Sequence, residues 1–500
     1  MAILETFMTS LPGCSWGGAV SLTLTVAVAL SVGARLQKYW RLRHFDGPLL
    51  AGFSRLWLLR TVWSGKAHLE FWDVVCKYGS IARVGPNDLV TSDPELVKHM
   101  YNVRSDYRRS SWYDGMRFDP TKDNLLSLRN EDAHKDLRAK MAAGYSGREV
   151  DGLELKVDKN INRFMDLLAK YADNDKILDL GRKVQYFTLD VISDIAFDKP
   201  FGFLETDSDV YRYIEATETA LPMVMITTVV PGLVKLLASR LLKRALPSET
   251  DAFGFGRVIR IAKGVAAERF GKHRKVQNDM LGSFVAHGLS QSETESEILL
   301  QIVAGSDTTA TAIRSTLLYV ATNPQVLARM RQEFEDAHLP SFIITDETAR
   351  SMPYLQAVIK EGLRIFPPAG GLMAKEAPQG GHHWKGVFIP GGTRVGSCVW
   401  GIFRRQDIWG NDANEFRPER WLDSAPDKLQ RMEGTLELIF SYGRWKCLGR
   451  PIAVMELNKI FVQILRQFEV SICDPTNPWK VYNCGIFSQS DFYVRFRRRW

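Results

Sequence analysis

Phe440-Ser-Tyr-Gly443-Arg-Trp-Lys-Cys447-Leu-Gly449, near the C-terminus, is the stretch from which the fold is read. It sets one cysteine between two glycines, with an aromatic residue ahead and basic residues interleaved. Gly443 and Gly449 suit a backbone that turns tightly around the sulfur, because glycine takes positive φ without a Cβ clash. Directly behind, Pro451 to Phe468 carries apolar residues at helical spacing, among them Ile452, Met455, Leu457, Ile460, Phe461 and Ile464. Cys447 is therefore expected in a loop that opens a helix. The helix amides, with Arg444, Lys446 and Arg450, would favour a thiolate there, and Phe440 would keep water away. A lone cysteine is more often a small buried hydrophobe; the length and order of this arrangement weigh against that here.

A second irregularity lies within a helix expected from Gln291 to Thr322. Ala304-Gly305-Ser306-Asp307-Thr308-Thr309 puts a glycine and three hydroxyl side chains in mid-helix, against propensity. A local rule broken inside a strong helix points to function. Gly305 would permit close approach of a flat ligand. The Thr308 hydroxyl can bond back to a helix carbonyl and open a small groove, with Asp307 as an ionisable neighbour. An ordinary polar kink is the plain alternative. Glu361 and Arg364 lie three apart on one helix face and can pair, which is commonplace at surfaces. His134 and Arg138 are four apart in a helix expected from Asn130 to Tyr145 and share a face; a solvated charged face is the default for such a pair.

Taken together, these stretches resemble the cytochrome P450 monooxygenases. The Cys447 loop is similar to the family's Phe-x-x-Gly-x-(Arg or His)-x-Cys-x-Gly pattern at Phe440, Gly443, Cys447 and Gly449. Trp445 departs from it, standing where the family usually has a basic residue against a haem propionate; some fungal members also carry Gly-Arg-Trp-x-Cys. The mid-helix stretch resembles the family's (Ala/Gly)-Gly-x-Asp-Thr-Thr. Glu361-Gly-Leu-Arg364 and Phe416-Arg-Pro-Glu-Arg420-Trp421 resemble its Glu-x-x-Arg and Pro-Glu-Arg segments, so Glu361, Arg364 and Arg420 would form a buried structural network.

The resemblance implies the P450 fold, mainly α with small β-sheets, holding one haem b (iron protoporphyrin IX) between the Asp307 helix and the Cys447 loop. It implies Cys447 as the axial iron ligand, with Phe440, Gly443, Arg444, Gly449 and Gly305 around the haem. His134 and Arg138 would meet the propionates, and Asp307 and Thr308 would govern proton delivery. The implied activity is oxidation of a hydrophobic small molecule with O2. A terpenoid, polyketide or alkaloid of secondary metabolism fits the resemblance. The implied partner is an NADPH-cytochrome P450 reductase, for which Lys135, Lys140, Arg444, Lys446 and Arg450 would form a docking patch. Two other classes stay open: a haem-thiolate isomerase or dehydratase that needs no oxygen, and a non-catalytic membrane haem protein. The acid–threonine pair speaks against both.

The remaining sequence bounds these readings. With 500 residues, 45% hydrophobic and 24% charged, the chain can bury a large core. Its net charge of +8 comes without a basic stripe of interleaved aromatics, which argues against nucleic acid. Six cysteines without a CxxC support neither a zinc site nor a disulfide framework. No Gly-x-Gly-x-x-Gly follows a strand, so electrons must come from another protein. Thr6 to Ala34 contains no charged residue, and Leu11 to Ala34 is long enough to span a bilayer. Arg35, Lys38, Arg41 and Arg43 follow. That order predicts a single-pass transmembrane anchor over residues 1–45, with residues 46–500 as a cytosolic catalytic domain. The resemblance to microsomal members adds the endoplasmic reticulum membrane. Asp46-Gly47-Pro48 reads as a hinge. Leu221 to Leu242 is apolar, but Pro222 and Pro231 favour a surface helix pair over the active-site entrance rather than a second span.

Overall fold

The computed structural model describes residues 16–239, 242, 246–251, 254–272, 274–340 and 342–499. The chain enters through helix α1 (Trp16–Arg41). Leu22 and Leu30 on it are 64% and 70% exposed, and Ser21, Thr23, Thr25 and Gly33 interrupt its apolar run. No described helix is long and apolar enough to cross a membrane. The expected transmembrane helix is therefore not shown, and its first residues, 11–15, lie outside the described part. The Asp46-Gly47-Pro48 segment is packed rather than hinged. A Cβ on Gly47 would come within 2.1 Å of the Arg83 carbonyl oxygen, and Leu42 and Phe45 just before it are buried. The buried Arg83 guanidinium donates to the carbonyls of Lys38, Tyr39, Gly52 and Pro86 at 3.0–3.2 Å. It thereby clasps the end of α1 to the body.

Short strands edge a mainly helical molecule. The hairpin β1 (Ile81–Gly85) and β2 (Asp88–Thr91) turns at Pro86-Asn87. It continues into β5 (Arg394–Ser397), β4 (Lys375–Glu376) and β3 (Arg108–Arg109), in the order β1-β2-β5-β4-β3. Only the β2–β5 pairing in this sheet is parallel.

The helices that matter for the site are seven. α2 (Glu131–Tyr145) is capped by the Asn130 side chain on the Ala133 amide. α3 (Leu180–Phe197) is buried along almost its whole length. α4 (Tyr213–Val229) contains Pro222, and α5 (Gly232–Leu237) follows it after Pro231. α6 (Gln291–Ala321) opens with a capping box between Ser290 and Glu293, which satisfies two amides at once. α7 (Pro353–Ile365) carries Glu361 and Arg364, and α8 (Arg450–Gln467) follows the Cys447 loop. α6 runs through the interior, packed on α3 on one side and touching α7 and α8 on others. Its ends match the periodicity because a strong N-cap and Asn323-Pro324 bracket the apolar run.

Candidate active site

The Cys447 loop is built by two residues with positive φ. Ser441 has φ 63° and Gly443 has φ 59°. A Cβ on Gly443 would also fall 2.3 Å from the Tyr101 carbonyl oxygen, so this position takes only glycine. Gly449 differs from the expectation: its φ is −74°, an ordinary helical value. A Cβ there would sit 3.8 Å from Cys447 Sγ, an ordinary van der Waals contact, so neither backbone conformation nor space requires glycine at this position. The Cys447 N–H donates to the Phe440 carbonyl at 2.7 Å, which closes the loop.

The sulfur is accessible to water-sized probes although protein surrounds it; it faces inward space, not the outer surface. Burial pushes the thiol up, and the Gly449 and Arg450 amides with the Arg138 and Arg450 guanidiniums pull it down. The expected roles of two cations shift. Arg444 turns to Glu131 at 2.5 Å and to the Val103 carbonyl, and Lys446 pairs with Glu437. Arg450 also bonds Glu437, at 2.7 Å. Three members of the expected docking patch are thus engaged with carboxylates, which lowers the free positive charge of that face. Phe440 is half-buried beneath the Arg450 guanidinium, 5.5 Å from its ring centre.

Across the interior, Ala304 is exposed and Thr308 half-buried while their neighbours Val303, Ser306, Asp307 and Thr309 are buried. The Thr308 hydroxyl donates to the Ala304 carbonyl at 2.9 Å, the local loosening that a mid-helix threonine permits. Gly305 does not face this space: a Cβ on it would meet Ile192 of α3 at 2.9 Å. Its absence of a side chain serves helix packing, and Ala304 is the residue that opens the face. Asp307 points toward α3, where the Gln185 amide donates to it. Burial raises its carboxyl to about 7, against the pull of Arg314. Arg314 is itself buried and donates to Gly181, Gln489 and Gln185 at 2.7–2.9 Å.

A third group gathers around Trp445. His134 packs against its ring at 4.2 Å with the planes tilted by 41°, and the Arg109 and Lys375 cations lie over it at 4.1 and 3.8 Å. All three side chains are buried, and His134 Nδ1, Arg109 Nε and Lys375 Nζ have no hydrogen-bond partner. Burial first, then Arg109, Arg138, Lys375 and Arg444, hold His134 down at about 3. It is therefore neutral in these surroundings, and Arg138 is the cation of the expected pair. Burial drives Lys375 down to about 6, with Arg109 adding to the shift. Arg109 and Lys375 were not singled out from the sequence. Arg109 lies in an Arg-rich irregular stretch and Lys375 in a two-residue strand, and only the fold joins them.

Glu361, Arg364 and Arg420 meet at 0% exposure. Arg364 holds both Glu361 oxygens at 2.8 Å, Arg420 Nε holds one at 2.9 Å, and Trp421 Nε1 the other at 3.0 Å. The other guanidinium N–H groups donate to the carbonyls of Phe403, Trp409, Asp412, Ala413 and Glu415. Trp409 and Trp421 share a core cluster with Trp445, so this network backs the cysteine loop.

An apolar cavity of about 1050 Å³ adjoins α6 at Leu299 and Val303 and is walled by Met116, Phe118, α4 and α5. Cys447 and Thr308 do not line it, so it is an antechamber beside the chemistry. Its four lining cations are paired: Arg117 with Asp123, Lys122 with Glu295, Arg212 with Glu215 and Lys263 with Glu249.

The residues fit an iron porphyrin. The Cys447 thiol supplies a soft ligand, an open helix stripe supplies a flat wall, and the buried Arg109 and Lys375, with Nε and Nζ unpartnered, suit carboxylates. Among the described residues no His/Cys/Asp/Glu cluster offers an alternative metal site.

Comparison with known proteins agrees with this geometry. Residues 48–492 match the family model for cytochrome P450. The chain is 41% identical to the cytochrome P450 monooxygenase ABA1 of Pyricularia oryzae, covering 97% of each chain. It is 39% identical to aba1 of Botryotinia fuckeliana over 91% of each, and 30% identical to a pisatin demethylase of Fusarium vanettenii, covering 92% and 90%. In fold it is similar to the crystal structure of the cytochrome P450DA heme domain, with a TM-score of 0.71 at 19% identity, covering 87% and 93%.

Proposed function

This chain belongs to the cytochrome P450 monooxygenase family, whose cofactor is haem b, and from that premise we propose that it oxidises a neutral, hydrophobic small molecule of secondary metabolism. The observation that carries the reading is the exposed Cys447 combined with the buried Arg109 and Lys375 at Trp445, whose Nε and Nζ have no hydrogen-bond partner. When bound, haem ligated by a thiolate supplies O–O cleavage and the oxidising equivalent. The chain's own residues do the rest. Cys447 supplies the ligand, with the Gly449 and Arg450 amides supporting its charge. Arg109, Arg138 and Lys375 hold the propionates. The Thr308 hydroxyl, tethered to the Ala304 carbonyl, orients a proton beside the open stripe. Asp307, bonded by the Gln185 amide, holds a proton near neutrality. The antechamber is mainly apolar, and among the described residues its lining cations are each paired with a carboxylate.

Electrons arrive from an NADPH-dependent reductase. The exposed leucines of α1, with Lys38 and Arg41 at its end, support attachment to the endoplasmic reticulum membrane with the body in the cytosol. Reconstitution with a reductase tests the assignment: terpenoid, polyketide and alkaloid scaffolds are screened for shifts in the haem spectrum, then for O2-dependent product. Cys447→Ser is expected to lose the red-shifted carbon monoxide band of the ferrous protein. An unchanged band refutes the ligand assignment, and product formed without O2 refutes the monooxygenase reading.

A further inference from the structure

Asp307 is not the only buried acid on α6. Glu297 is 1% exposed; its Oε1 accepts the Leu125 N–H at 2.7 Å, and its Oε2 has no partner. One turn on, Gln301 is 2% exposed and its Oε1 is also bare. Tyr145, at the end of α2, lies close enough to feel the charges of Glu297, Cys447 and Arg138. Helical spacing puts Glu297, Gln301, Ala304 and Thr308 on one face, and Ala304 is where that face becomes accessible.

Two bare buried oxygens within a turn of each other are each destabilising while they lack a partner. Bound water removes that cost where a buried site offers polar partners of this kind. Burial also keeps the Glu297 carboxyl protonated, pushing it up to about 8, with Glu293 adding to the shift and the Leu125 amide opposing it. A purely structural tie from α6 to Leu125 uses Oε1 alone. It leaves Oε2 and its proton unexplained.

We infer that Glu297 is a second proton-holding residue for the reaction, feeding the Thr308 end of the face through water held by Gln301 and Tyr145. The inference rests on the monooxygenase reading. In the step, the Glu297 O–H bond breaks and its proton passes to the adjacent water. Water delivers a proton at the far end, and bulk water reprotonates the carboxylate; no electron moves through the residue. Glu297 touches neither substrate nor haem, and is a positioning residue for the water that carries the proton.

The test uses full-length holoenzyme with a purified NADPH-dependent reductase and no added substrate. NADPH oxidation is measured in H2O and D2O, beside the infrared spectrum at pH 7. Glu297→Gln keeps an acceptor for Leu125 and a neutral shape, but has no transferable proton. It is expected to retain the carbon monoxide band and melting temperature, to lose a protonated-carboxyl infrared band, and to oxidise NADPH roughly threefold or more slowly with a larger solvent isotope effect. Glu297→Asp, which keeps an acid, is expected to recover part of the rate. Equal rates and isotope effects in wild type and Glu297→Gln overturn this inference alone, as does an infrared spectrum with no band lost. Wild-type protein that binds no haem overturns the monooxygenase reading and this inference with it.

Discussion

Two buried charge clusters in this molecule differ in kind. The Glu361–Arg364–Arg420 cluster is closed: carboxylate, guanidiniums and surrounding carbonyls match one another within 2.7–3.2 Å. The cluster at Trp445 is open: Arg109, Lys375 and His134 crowd one indole, Arg109 donates through Nη1 to the Leu125 and Leu128 carbonyls, and Arg109 Nε, Lys375 Nζ and His134 Nδ1 bond nothing. Burying charge is tolerable only when each charge finds partners. A closed cluster is thus architecture, complete in the polypeptide. An open one is a socket that requires an anion from outside the chain.

Removing one member should have opposite consequences in the two. Glu361→Gln leaves Arg364 buried without a counter-charge and Arg420 with Asp412 alone, and should cost about 3–5 kcal/mol. Denaturant melts with and without haem are expected to show the same loss; a loss confined to the haem-loaded protein breaks the distinction. Lys375→Met should split the two states. The haem-free protein is expected to gain about 1–3 kcal/mol by shedding an unpaired buried cation, while haem dissociation accelerates roughly tenfold. A destabilised haem-free variant would show that Lys375 is satisfied without the cofactor.

The open cluster should also be visible in pH. Lys375 sits near 6 in the folded chain against an ordinary 10.5. The unfolded chain therefore binds the extra proton across that window, and haem-free stability should rise with pH from about 6 to 10.5, by up to about 1.4 kcal/mol per pH unit. Wild type minus Lys375→Met isolates the slope, which should vanish once haem supplies carboxylates. The smallest effect is expected at Trp445. Trp445→Leu removes two cation–π contacts of about 1 kcal/mol each, so haem loss should quicken several-fold with little change in the melt of the haem-free chain.

What was legible in the sequence follows from where the information lies. Helix ends, the hairpin at residues 81–91 and the glycine turn at Gly443 are written in local caps and conformational preference. The Thr308 back-bond is equally local. Glycines misled where their role is defined by a distant neighbour. Gly305 yields room to Ile192 on another helix, while Gly449 has an ordinary helical φ and space for a Cβ. His134 reads as a cation in isolation, but four surrounding positive groups hold it neutral. Arg109 and Lys375 were invisible for the same reason: 266 positions separate them in the chain, and one indole ring unites them.

The Arg83 clasp has a consequence for how the enzyme presents itself. Because one guanidinium rivets the terminal helix to the first hairpin, whatever surface receives that helix also dictates the attitude of the whole body upon it. The mouth of the antechamber is then aimed, not left to swing, and a single arginine acts as the gimbal lock.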